Sequence, residues 1–135
     1  ETFTIAGEKV EVMPNRSDSS DSVGFYFPSK RLLISNFMVP GFIFNIYSLR
    51  GGPFRNPEPW LEDIRRMESY DAAVLLDLHA SPVAGEAAVR DAIHRSADQV
   101  RLIRDQSLRM IARGMDGPAA PELAIQPPAP RSQRR

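Results

Sequence analysis

The stretch AAVLLDLH, residues 72–79, decides the fold. Seven residues, six of them apolar, run without a helical gap and stop at an imidazole. Such a run reads as a strand covered on both faces, the pattern of a parallel strand inside an α/β layer. His79 then stands at the carboxyl end of that strand, before a turn marked by Pro82 and Gly85. Ligands of α/β proteins gather at strand ends, and a neutral imidazole is a common metal ligand. The alternative for His79 is a partly buried ring bonded to a backbone carbonyl.

Upstream of this run the signals are a helix and several strands. Asn56-Pro57-Glu58 has the chemistry of a helix start: a capping amide, a proline in the first turn and an acid at the positive end of the helix dipole. Trp60, Leu61, Ile64 and Met67 continue it at helical spacing. Residues 2–5 and 9–13 alternate around Gly7 and read as a hairpin. Residues 23–27 and 31–35 read as a second strand pair across Pro28-Ser29-Lys30, and residues 15–22 as a polar Ser/Asp loop. Residues 37–46 are apolar but broken by Pro40 and Gly41, which implies a buried, irregular segment.

Downstream, Val89, Ile93, Ala97, Val100, Ile103 and Ile111 trace one stripe of a long helix that ends at Gly114. The fold class is mixed α/β (α+β): strands, a helix, a buried strand and a long C-terminal helix. Too little material is present to cover both sheet faces, so the pattern reads as part of a larger sandwich. Residues 1–85 form the layered part, residues 86–116 the helical segment, and the proline-rich residues 117–135 a disordered tail.

Bulk properties exclude several function classes. The 135 residues carry 17 basic and 17 acidic side chains, which gives no case for nucleic acid or an anionic membrane as partner. No cysteine is present, which removes disulfides, thiolate nucleophiles and Cys-type zinc sites. No apolar run reaches the ~18 residues of a membrane span. The compartment stays open. The chain begins at Glu1 without a methionine, and the expectation is that the natural protein starts further upstream.

The residues that could carry chemistry are few. Arg50 precedes Gly51-Gly52, where the backbone can approach a ligand closely, and its guanidinium matches carboxylate, phosphate or sulfate oxygens. It could equally tie two loops together. Asn45 and Tyr47 are polar companions for the same pocket, or partners of buried backbone groups. Asp18 and Asp21 lie on the polar loop, where carboxylates either reach a metal or are simply solvated. Asp77, inside an apolar strand, either faces a site or makes a structural bond. His94 lies within the long helix. No Gly-rich phosphate loop, Ser-His-Asp order or HxH cluster occurs, and no catalytic residue is assigned.

Four stretches together resemble the metal-dependent alkylsulfatases of metallo-β-lactamase fold, in their C-terminal half. SDSSDSVGFYFP at 17–28 is similar to a loop and strand that hold a metal-binding acid and end in an aromatic-Phe-Pro. FNIYSLRG at 44–51, with Arg55-Asn56-Pro57 and Trp60, resembles Asn-x-Tyr-Thr-Leu-Arg-Gly and the Arg-Asp-Pro…Trp that follows. LHASPVAG at 78–85 resembles the segment with the last zinc-binding histidine, and Asp105-Gln106-Ser107-Leu108 with Gly114 resembles Asp-Gln-Thr-Leu…Gly in the helix leading to a dimerisation domain.

The resemblance implies part of an αββα sandwich and a zinc-dependent hydrolase of sulfate esters, with two zinc ions in the family. A small-molecule sulfate ester would be the substrate and a homodimer through the helical region the assembly. It makes His79 and Asp18 metal ligands, and Arg50, Asn45 and Tyr47 sulfate-site residues. Phe37, Met38, Val39, Phe42 and Phe44 are candidates for lining an alkyl slot, or ordinary core. The chain departs from the family where a bridging glutamate is expected, since Asn36 and Phe37 stand there. The His-x-His-x-Asp-His cluster belongs to the family's front half and is absent from these residues. The alternatives are a non-catalytic relative kept for binding or assembly, or another hydrolase of the same fold.

Overall fold

Six strands lie side by side in chain order in the computed structural model, whose described residues are 1–42, 46 and 54–115. Strands β1 (Thr2–Ile5), β2 (Glu8–Pro14), β3 (Val23–Phe27) and β4 (Leu32–Ser35) form an antiparallel meander. Strand β5 (Val74–Asp77) pairs parallel to β4, and β6 (Val83–Ala84) pairs antiparallel to β5. A parallel neighbour requires a crossover, and the connection between β4 and β5 carries helix α1 (Pro57–Glu68). Helix α2 (Glu86–Ala112) follows β6. The chain divides into two compact units, Glu1–Val100 and a second that starts at Arg101.

Local chemistry sets the element boundaries. Ala6 and Gly7 both have positive φ, as a two-residue hairpin turn of type I′ demands. Asn56 caps α1, accepting the Glu58 N–H at 3.0 Å, with Pro57 in the first turn as its fixed φ favours. Beyond α2, Gly114 takes φ 71°, and the Met115 N–H donates to the Met110 carbonyl at 3.1 Å, which ends the helix.

One face of the sheet holds the core. The register places Tyr26, Leu33 and Leu75 in a row, and Trp60, Leu61, Ile64 and Met67 of α1 pack in the same cluster with Val89, Ile93, Ala97 and Val100 of α2. Each large side chain buried there contributes about 1.5–3 kcal/mol relative to exposure. The opposite face carries a second apolar row, Val12, Phe25, Ile34 and Leu76, that is only half-buried. Phe3 and Val23 on its margin are 42% and 47% exposed. The continuous apolar run of β5 is therefore covered fully on one side only, the arrangement of half a sandwich.

A buried acid fastens α1 to the meander. Asp63, 1% exposed, accepts Nε of Arg16 at 3.0 Å, Nη2 at 2.7 Å and the Arg16 backbone N–H at 2.8 Å. The hydrogen bond to Asp63 raises the Arg16 guanidinium above its ordinary pKa, against the opposing effect of desolvation.

Candidate functional site

The carboxyl ends of β4 and β5 lie side by side, Ser35 opposite Asp77. Asp77 is 5% exposed, and its carboxylate is saturated. Oδ2 accepts the Ser35 hydroxyl at 2.8 Å and the N–H groups of Met38 at 2.9 Å and Val39 at 3.0 Å. Oδ1 accepts the N–H groups of Phe37 at 3.2 Å and His79 at 3.1 Å. Of the two readings of Asp77, this is the structural bond.

The turn it holds is braced from two further sides. The Ser96 hydroxyl of α2 donates to the Met38 carbonyl at 2.7 Å. Asn36 is bracketed by the polar loop: its N–H donates to Asn15 Oδ1 at 2.9 Å, and its carbonyl accepts Asn15 Nδ2 and, at 2.7 Å, the Ser17 hydroxyl. These bonds use the backbone of Asn36; its side-chain amide donates to the Ser22 hydroxyl at 3.5 Å.

His79 is exposed and stacks on Phe37, ring centroids 3.5 Å apart and planes 12° from parallel. Asp18 accepts Nε of Arg55 at 2.9 Å and also its Nη2. Arg55 in turn donates its backbone N–H to the Ile46 carbonyl at 2.9 Å. Asp21 is exposed and bonded to Ser19, which holds its carboxyl below the usual range. His94 lies on α2 with Nε2 3.8 Å from Glu68. Met38 and Val39 belong to the core, whereas Phe42 is 50% exposed. Asn45, Tyr47, Arg50 and Phe44 lie outside the described residues.

Among the described residues no three His, Cys, Asp or Glu side chains gather as a metal group needs. A structural or catalytic zinc takes three or four protein donors. His79 offers one, and the Asp18 carboxylate is engaged by a guanidinium. The donors described here do not fit a zinc centre by themselves.

The six-stranded sheet with its helices is that of the metallo-β-lactamase fold. A metallo-β-lactamase family protein from Thermus thermophilus aligns over 80% of this chain and 36% of its own, at a TM-score of 0.56 and 20% identity. The similarity becomes more particular with a stereoselective inverting sec-alkylsulfatase from Pseudomonas sp., at a TM-score of 0.85 and 23% identity over 95% of this chain and 21% of that one. In sequence the chain is 32% identical, over 126 residues, to a linear primary-alkylsulfatase of Pseudomonas sp. (strain ATCC 19151), matching 93% of this chain and 24% of that protein. No family model matches. The chain is thus a relative of the metallo-β-lactamase-fold alkylsulfatases, spanning about a quarter of the length of the curated relative it matches. Among the described residues no helix is long and apolar enough to cross a membrane.

Proposed function

We propose that this chain is the portion of a sulfate-ester hydrolase that supplies the anion-binding arginine, Arg50, and one imidazole, His79. The observation that carries the reading is the 32% identity to a linear primary-alkylsulfatase across nearly the whole chain. The reaction is addition of water across a sulfate ester, giving an alcohol and inorganic sulfate. A planar guanidinium suits the tripod of sulfate oxygens, and its charge offsets the charge that develops on them. Asn45 and Tyr47 would flank it. Zinc, when bound, would supply hydroxide near neutral pH. Its ligands other than His79 would come from outside the described residues, with Asp18 available only if Arg55 releases it. The assembly would be a homodimer through the helical region.

The test uses the longer protein that contains this stretch, loaded with zinc and given primary and secondary alkyl sulfates. Released inorganic sulfate is the readout, and Arg50→Ala should lower kcat/KM on the order of a hundredfold. No release from any member of the panel overturns the assignment.

A second reading, a non-catalytic relative kept for binding or assembly, is supported by the engagement of Asp18 with Arg55. Elemental analysis and native mass separate the two. A metal-free protein that still forms stable oligomers favours the second.

A further inference from the structure

The geometry points to Asp77 as the positioning residue of the His79 imidazole, acting through the turn it holds and through the ring of Phe37. This rests on the reading of His79 as a site residue. A carboxylate buried among apolar neighbours is unfavourable unless its lone pairs are met. Five donors meet those of Asp77, and four are backbone N–H groups from two separate loops: residues 37, 38 and 39 after β4, and residue 79 after β5. One side chain therefore fixes both loops relative to each other.

The arrangement opposes local preference at one point, which shows how firmly it is set. Phe37 takes φ 56°, in the left-handed region that bulky residues avoid. Its N–H nevertheless donates to Asp77, and in that conformation its ring lies flat on the imidazole. Neighbouring anchors reinforce the turn, Ser96 on the Met38 carbonyl and Asn15 on Asn36. A metal or proton is taken up at a ring nitrogen, in the plane of the imidazole. Face-on stacking leaves those edges uncovered while restricting the plane in which they lie. His79 is exposed, yet it inherits its orientation from a buried carboxylate that does not touch its ring.

Aromatic ¹H–¹³C NMR of the full chain tests this. In the parent, His79 ring protons should lie upfield of those of the exposed His94, because they sit over the Phe37 ring. Phe37→Ala should abolish the displacement. Asp77→Asn should abolish it too while thermal unfolding shows a folded chain, whereas Ser35→Ala, which removes one donor of five, should keep most of it. A folded Asp77→Asn protein with the parent His79 shifts overturns the proposal, as does a parent whose two histidines coincide. Where Asp77→Asn does not fold, amide exchange decides. The N–H groups of residues 37, 38, 39 and 79 must be protected together and lose protection together in Ser35→Ala; independent exchange overturns it. None of these readouts involves sulfate or zinc, so the proposal stands or falls apart from the hydrolase assignment, which sulfate release by the longer protein tests.

Discussion

Asp63 on α1 is gripped by Arg16 from three donors, two on the guanidinium and one on the backbone, across 47 residues of chain. The acid is buried and the cation only partly so, which makes the two halves of the pair unequal. Arg16→Met leaves a buried carboxylate with one backbone donor and should lower stability by about 3 kcal/mol. Asp63→Asn leaves a guanidinium that water can reach, and should cost clearly less. Urea denaturation of the two variants checks the order, and equal losses would contradict it.

Leu75 and Leu76 are neighbours in β5 on opposite faces, the first 1% exposed in the core and the second half-buried. Leu75→Ala should cost about 3 kcal/mol and Leu76→Ala about 1 kcal/mol in this chain. In a longer protein that supplied a second layer over this face, the second figure should rise toward the first. Denaturation of both variants in both lengths of protein provides the comparison.

Gly24 lies opposite Met13 in the β2–β3 ladder, where no side chain fits. A Cβ there would come within 2.8 Å of the Ile34 carbonyl oxygen and 2.6 Å of the Met13 methyl. The methyl can swing away, but the backbone carbonyl cannot without disturbing β4. Gly24→Ala should destabilise by about 1–3 kcal/mol, read as a lowered Tm.

Burial pushes the Tyr26 phenol above its ordinary pKa, with the charge of Asp71 adding to it and that of Arg31 opposing it. Burial raises Tyr70 as well. The unfolded phenols ionise near pH 10, while the folded ones keep their protons. Above that pH the unfolded state binds fewer protons, so stability falls as pH rises from about 10, and below it this contribution is fully present. Tyr26→Phe should flatten the alkaline limb of a stability–pH profile, at the loss of the Tyr26 hydroxyl bond to the Asp71 carbonyl at 2.9 Å.

Periodicity and punctuation made most elements legible. The cap at Asn56, the hairpin around Gly7, the pair 23–27 and 31–35, and the stop at Gly114 each rest on interactions within a few residues, and the structure has them. Strand β6 was not legible, because its two residues, Val83 and Ala84, sit inside what reads as a turn and exist only by pairing with β5. The site was harder for the same reason. Asp77 bonding to residues 35 and 37–39, Asp18 to Arg55 and Asn15 to Asn36 all join residues at least 21 positions apart. Spacing along the chain marks such side chains as candidates but does not say which partner each will meet. Phe37 was visible as an aromatic residue in the region where the resemblance leads one to expect an acid, but its positive φ left no trace in the sequence.

Strand order that follows chain order governs how the sheet assembles. Strands β1 to β4 find their neighbours across connections of two to eight residues, so their pairing involves little loop-closure entropy. The parallel contact of Leu32 with Val74 must await the whole excursion through α1, and contacts of that separation slow folding. Closure of the β4–β5 seam is therefore expected to be the slow part of folding, and it is the step that brings together the two loops Asp77 joins.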